Sequence, residues 1–268
     1  MLWTSGLIVG VVLLIGALVV VGLEWEKGSG AETTAASPAL MHALSTIPTS
    51  TYDVVGAGEM SNTLKTLTNS SAMSSGGKPR VLYVGAEYCP YCGAERWAVV
   101  TALSRFGRFT HLGQTTSSHA DVYPDTPTLS FHGASYMSKY LTFDGYETLS
   151  NQIKGTSYAP LDTLPAPDQK LMDTYDRPPY LPTNGSIPFI DFGGSYLSQG
   201  ASYSPQLLHG LTHQQVANQI RQPTTALSKS VLGTANTFTA AMCRLTHGQP
   251  SSVCQSPGVT AAAARLTP

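Results

Sequence analysis

The sequence predicts an α/β domain, and four segments predict it. Val81-Leu82-Tyr83-Val84 is a short apolar, β-branched and aromatic run that reads as a buried strand. Ala94, Trp97, Ala98, Val99, Val100, Ala102 and Leu103 follow with the spacing of a helix packed on a sheet. Further on, Phe189-Ile190-Asp191-Phe192 reads as another strand. Residues 227–245 read as another long helix, with Val231, Leu232, Ala235, Phe238, Ala241 and Met242 as its apolar stripe. A chain of 268 residues holds one large domain, or one domain with decorations.

The first segment is of a different kind. Residues 2–23 (LWTSGLIVGVVLLIGALVVVGL) carry no charge and are long enough to cross a bilayer core. Trp3 and Trp25 bracket them as interfacial aromatics do. A cleaved signal peptide is the alternative, but it needs a basic start and a shorter apolar core. No Lys or Arg precedes this segment. Residues 1–25 are therefore expected to be one transmembrane anchor, contacting the bilayer through residues 2–23. Only Lys27 lies close enough to inform orientation. Together with the cysteines, the reading is an N-terminus inside and a C-terminal domain outside the cytoplasm. Residues 26–50 are small and polar and read as a linker. Residues 51–256 are the expected domain, and 257–268 a tail.

Within the domain, 51–75 holds a weakly helical piece. The helix after Val84 is expected to close around Phe106-Gly107, and Thr110 to Gln114 to form the next strand. Leu129-Ser130-Phe131 and Tyr140-Leu141-Thr142-Phe143 read as a hairpin or paired strands. The proline-punctuated stretch 161–182, with a short helix near Gln169 to Tyr175, reads as an insertion over the core.

Charged residues make up 12% of the chain, against about 25% in an ordinary soluble domain. Net charge is −1, with no basic stripe, so nucleic acid is not an expected partner. An acidic or extracellular setting would suit such a composition.

The chemistry concentrates at Cys89-Pro90-Tyr91-Cys92. Lying between a strand and a helix, Cys89 falls at the first turn of that helix. Unpaired N–H groups and the helix dipole favour a thiolate there. Thiolate is the species that attacks disulfides. Pro90 suits the first helical position, where its missing N–H costs nothing. Cys89 is thus the expected attacking thiol, and Cys92 the thiol that resolves a mixed disulfide. Pro188, directly before an apolar strand, cannot donate to a ladder. It either starts an edge strand or follows a cis bond.

A CPYC turn followed, after a long interval, by an Ile-Pro strand and Gly193-Gly194 resembles the thioredoxin-like fold, a central mixed sheet flanked by helices. The resemblance implies that Ile187 and Pro188 hold the backbone of a bound polypeptide, and Tyr91 joins them as a candidate contact. CPYC matches the glutaredoxin motif, and the insertion is more like oxidoreductases of the DsbA type. The run Gly85 to Trp97, Thr126-Pro127, the Ile-Pro strand and the C-terminal cysteine pair resemble a family of membrane-anchored thioredoxin-like proteins known only as domain of unknown function 929. That likeness covers roughly residues 51–254. Two positions depart from thioredoxin. Tyr83 stands where thioredoxins carry a buried Asp, and Tyr88 where they carry Trp. Glu87 and Glu95 are then the candidates for proton transfer, the competing reading being that Glu95 and Arg96 form a surface or structural pair.

Cys243 and Cys254 are expected to form a structural disulfide, which persists in an oxidising compartment. A zinc site drawn from both pairs is the rival, but the second pair lacks the close spacing of zinc sites. His209, His213 and His247 are scattered, which favours surface or capping roles, and no metal is expected. Asn69 and Asn184 head glycosylation sequons. The expected function is a membrane-tethered thiol–disulfide oxidoreductase needing no cofactor. Its partners would be protein thiols or disulfides and a membrane or soluble redox protein. The alternatives are a non-catalytic surface module with a static disulfide, and a metal carrier using both thiolates.

Overall fold

The structure is a computed structural model that describes residues 28–68 and 70–266. Its strands in chain order are β1 (Thr34–Ala35), β2 (Lys65–Thr66), β3 (Ser74–Ser75), β4 (Lys78–Gly85), β5 (Gly107–Thr110), β6 (Gly113–Thr116), β7 (Pro127–Ser130), β8 (Ser135–Ser138), β9 (Thr142–Glu147), β10 (Leu149–Lys154), β11 (Ser157–Pro160), β12 (Phe189–Phe192) and β13 (Tyr196–Gln199). The helices are α1 (Pro38–Ser45), α2 (Thr49–Val55), α3 (Pro90–Leu103), α4 (Ala166–Tyr175), α5 (His213–Ile220), α6 (Ala226–Leu245), α7 (Ser251–Cys254) and α8 (Pro257–Ala263). A 3₁₀ turn spans Pro205–Leu208.

The central sheet is mixed. β4 runs parallel to β9 on one side and antiparallel to β12 on the other. β13 and then β2 continue beyond β12, both antiparallel. β3 makes a hairpin with the start of β4. Side chains alternate across β4 as strand geometry requires. Val81 and Tyr83 join the larger core with Trp97 of α3 and Phe238 of α6. Leu82 and Val84 join a second cluster, where Leu171, Met172 and Tyr175 of α4 cover Phe189 and Leu197. Helices thus cover both faces of β4, which explains its unbroken apolar reading. Residues 161–182 do lie over a core face, the one opposite α3.

Gly193 and Gly194 join β12 to β13 at φ 63° and 71°. Two successive positive φ values are what a tight hairpin turn between twisted strands requires. The Ile187–Pro188 bond directly before β12 is cis.

The expected anchor, 1–25, lies outside the described residues; among those described, no helix is long and apolar enough to cross a membrane. Within the described residues several expectations are corrected. Residues 28–50, expected as a linker, are built into the fold. β1 pairs with β6, and α1, capped by the Ser37 side chain, buries Leu40 and Leu44. Residues 257–266, expected as a tail, form α8 and bury Val259, Ala262 and Leu266. The strand expected at Thr110 to Gln114 is two strands, divided where His111 turns with φ 57°. The segments at 129–131 and 140–143 do not pair with each other: β7 pairs with β6, and β9 with β4.

Leu40→Ala is expected to lower stability by about 2–4 kcal/mol, the ordinary cost of emptying a packed leucine site. Urea unfolding of the full chain measures it. A tether would show no change.

Candidate functional site

β4 ends at Gly85, and the turn 86–89 delivers the chain into α3. Cys89 is the N-cap of α3 with extended φ/ψ, and Pro90 occupies the first turn. The Cys89 Sγ accepts the backbone N–H of Cys92 at 3.3 Å. Both residues are free thiols. Cys92 is fully enclosed, while Cys89 keeps 6% of its surface exposed. Tyr91, between them, is 41% exposed. The motif therefore presents the Tyr91 ring outward, keeps Cys89 just under the surface and seals Cys92.

The electrostatics of the two thiols diverge. The Cys92 side chain donates to Cys89 and, with the backbone N–H groups of Cys92 and Tyr91 and the Arg96 guanidinium, holds Cys89 below the ordinary thiol range; burial opposes this. Burial pushes Cys92 well above that range, and its bond to Cys89 adds to the shift. Of the two, Cys89 is thus the thiol more readily ionised and Cys92 the one that keeps its proton longer, as a helix N-terminus favours.

Beneath the pair lies a buried ion pair. Arg96, one turn after Cys92, donates Nε–H to Glu147 Oε1 at 2.7 Å and bonds Oε2 through Nη2. The same Nη2 reaches the Ala86 carbonyl at 2.6 Å, and Nη1 the Thr128 hydroxyl at 3.2 Å. Both side chains are fully enclosed. Burial pushes Glu147 up, and Arg96 pulls it back. Tyr83 completes the floor. Its hydroxyl is buried with no hydrogen-bond partner, and burial holds it well above the ordinary phenol range. A Cβ at Gly85 would lie 2.5 Å from that hydroxyl, so the position admits no side chain.

The proton-transfer candidates separate. Glu87 is buried and accepts from Thr33 at 2.8 Å and Ser130 at 2.6 Å. It also acts on Glu147 through space, and so belongs to the floor of the site. Glu95 turns away from the floor. Its two oxygens accept from the Ser202 N–H (2.8 Å) and hydroxyl (2.7 Å), and burial lifts its pKa to about 7. Glu95 and Arg96 do not pair with each other as the structural reading of the sequence had it; Arg96 pairs with Glu147. The sequence reading missed Glu147, because the adjacent Glu95 offered Arg96 a nearer partner and the true one lies 51 residues away.

Pairing of Phe189 with Val84 sets Ile187 and Pro188 at the cysteine end of β4. Ile187 is half-buried and Pro188 buried. Aromatic rings flank the motif. Tyr88 stacks on Tyr158 at 4.2 Å, and Tyr123 meets Tyr91 edge-on at 5.7 Å. Cys243 and Cys254 form a disulfide that ties the end of α6 to α7, with Cα atoms 5.5 Å apart. His213 is held by two carbonyls, of Thr115 and Thr128, at 2.7 and 2.9 Å, so its Nε2 is a donor. Among the described residues no group of three or more His, Cys, Asp or Glu is arranged to hold a metal. Asn184 is exposed, and Asn69 lies outside the described residues.

A family model described as a domain of unknown function (DUF929) matches residues 65–244. The chain belongs to the DUF929 family. No curated protein and no solved structure matches it. The DUF929 match takes in both cysteines, Arg96, Glu147, Ile187 and Pro188. Residues 28–64 and Cys254 lie beyond it.

Two predictions follow from these charges. Arg96→Met alone leaves Glu147 buried and unpaired, at a cost of about 3–5 kcal/mol; adding Glu147→Leu restores much of it. In that double variant, the pH midpoint for iodoacetamide modification of Cys89 rises, because the guanidinium no longer favours the thiolate. A cysteine unaffected by Arg96 would keep its midpoint.

The second concerns Glu95. Its folded pKa, about 7, lies above its ordinary 4.5, so the folded state holds the extra proton between those values. Stability from this group is fully present below pH 4.5 and is lost as pH rises through 7, on the order of 3 kcal/mol. Urea titrations across that window should show the decline, and Glu95→Gln should make it shallower by about that amount, leaving the share of the other raised carboxyls, Asp176 and Asp191.

Proposed function

We propose that this DUF929 chain is a thiol–disulfide oxidoreductase acting on protein clients, tethered to a membrane with its domain outside the cytoplasm. The observation that carries the reading is the asymmetry of the two thiols. Cys89, at the N-cap of α3, is shifted toward thiolate, while Cys92, bonded to it and fully enclosed, is shifted the other way.

The step runs as follows. Cys89 thiolate attacks one sulfur of a client disulfide, the client S–S bond breaks, and the second client sulfur leaves as thiolate. Cys92 then passes its proton to the departed client thiolate and attacks Cys89 Sγ, the mixed S–S bond breaks, and the first client sulfur leaves as thiolate. The client is released reduced, and Cys89–Cys92 is left oxidised. Oxidation of a client dithiol is the reverse. No cofactor takes part.

A thioredoxin-like fold is part of the same proposal. It is supported by the strand order β9-β4-β12-β13, in which β12 alone runs opposite to the other three, and by the cis bond at Ile187–Pro188 beside the cysteine turn. Ile187, Pro188 and the exposed Tyr91 then line the place where a client backbone would lie. Of the proton-transfer candidates read from the sequence, Glu87 lies in the floor with Arg96 and Glu147, whereas Glu95 is bonded to Ser202. An extracytoplasmic setting is favoured by the Cys243–Cys254 bridge, since such bridges persist in oxidising compartments.

A static module is the second reading, favoured by the shallow exposure of Cys89. Titrating the full chain with glutathione, with thiols counted by mass spectrometry, separates the two. A potential near −120 mV makes it an oxidant, and one near −270 mV a reductant. A pair that never exchanges sinks the proposal. Cys92→Ser should trap client disulfides on Cys89, and Cys89→Ser should abolish exchange.

A further inference from the structure

Residues 28–36 fasten the start of the described chain to the rim of the dithiol. Ser118 joins the two. Its hydroxyl donates to the Gly28 carbonyl at 2.6 Å, and its N–H donates to the Tyr88 carbonyl, one residue before Cys89, at 2.9 Å. Tyr158, stacked on Tyr88, donates to the same hydroxyl at 2.8 Å. The strap is then bonded along its length. Gly30 N–H donates to the Asn151 carbonyl at 3.0 Å, and Ala31 N–H to the Thr116 hydroxyl at 2.9 Å. Asn151 Nδ2 donates to the Ala31 carbonyl at 2.7 Å. Thr33 donates to Glu87 at 2.8 Å, and β1 follows. The chain therefore leaves the domain at the cysteine end of β4. The opposite end is marked by Ser75, which pairs with Lys78.

Only residues 24–27 separate Gly28 from the apolar segment 2–23. Five extended residue steps reach at most about 18 Å. If the segment spans a bilayer, Gly28 cannot stand farther than that from the end of the span, and the cysteine rim lies beyond it only by the Ser118 bridge to Tyr88. β4 alone is about 26 Å long, so its other end is free to point away. The rim exposes what an interface favours. Tyr91 is 41% and Val122 72% exposed, with Tyr123 edge-on to Tyr91. Rings with an apolar body and a polar tip settle at the headgroup level.

We propose that the Cys89–Cys92 dithiol faces the membrane, and that its partner is an integral membrane protein presenting a cysteine pair near the same bilayer surface. This rests on the oxidoreductase reading above. The partner sulfurs supply or accept the two electrons and two protons of the exchange already written. A soluble protein would have to enter the narrow space between domain and lipid to reach Cys89.

Two measurements on the full chain test this. The first needs no thiol chemistry. In a Cys89→Ser, Cys92→Ser background, a fluorophore is placed at Val122→Cys or at Ser75→Cys, both exposed positions. The protein is reconstituted in phosphatidylcholine vesicles containing headgroup-nitroxide lipid. Quenching several-fold stronger at 122 than at 75 is expected. Equal or reversed quenching, or no quenching at either position, overturns the orientation even if exchange activity is intact. The second uses Cys92→Ser in native membranes, with adducts on Cys89 identified by mass spectrometry. The expected adduct is an integral membrane protein, linked through a cysteine adjoining the end of a span. Adducts on soluble proteins alone overturn the partner assignment. A complete lack of adducts overturns the oxidoreductase reading and this inference with it.

Discussion

The Arg96–Glu147 pair is the constraint on which the rest of the structure depends. It ties the helix carrying both cysteines to the end of β9, the strand that lies parallel to β4. Arg96 also holds the Ala86 carbonyl in the turn that leads to Cys89. One side chain thus fixes helix, strand and turn together. Two charges taken out of water are costly, and their attraction repays that cost only with good geometry and further hydrogen bonds. Both conditions are met here: Thr128 and the Phe131 N–H complete the set. The same positive charge lies close enough to bias Cys89 toward thiolate. A stabilising contact and a chemical setting are one arrangement.

Much of the domain was legible because its signals are local. β4, the CPYC turn and α3 are consecutive, and they announce themselves by an unbroken apolar run, a proline at the first helical position and helical spacing. The Ile-Pro before β12 and the stripe of α6 are equally local. What escaped was carried by distance. Arg96 and Glu147 are 51 residues apart, and Glu95 meets Ser202 across 107. Neither pairing leaves a mark in the sequence. The N-terminal strap escaped for another reason. Its residues are small and polar, as in a tether, but their backbone groups are satisfied by Asn151, Gln152, Thr115 and Thr116 rather than by water. Leu40, Leu44 and Ile47 lie at helix-like spacing in that background, and that was the one available clue.

The low charge of the chain takes on meaning beside its interior. Thr101, Ser117, Ser118, Thr128, Ser130, Thr234 and Thr237 are all buried. Several bond carbonyls or other hydroxyls directly, as Thr101 does with Trp97 and Ser118 with Gly28. Hydroxyl groups here do the work that elsewhere falls to surface ion pairs, joining segments far apart in sequence at modest desolvation cost. The strap and the rim of the dithiol are assembled in this way.

The buried carboxyls carry a consequence for heat as well as for stability. Burial lifts Asp191 on the second face of the sheet to about 7, as it does Glu95 behind α3, and one Asp191 oxygen is without a partner. In mildly acidic solution the unfolded chain holds these groups ionised and the folded chain holds them neutral. Folding then draws protons from the buffer. The enthalpy recorded in a calorimeter is therefore that of the protein plus that of the buffer giving up its protons, and it varies with the buffer chosen. The fold is, in this range of pH, a small sink for acid.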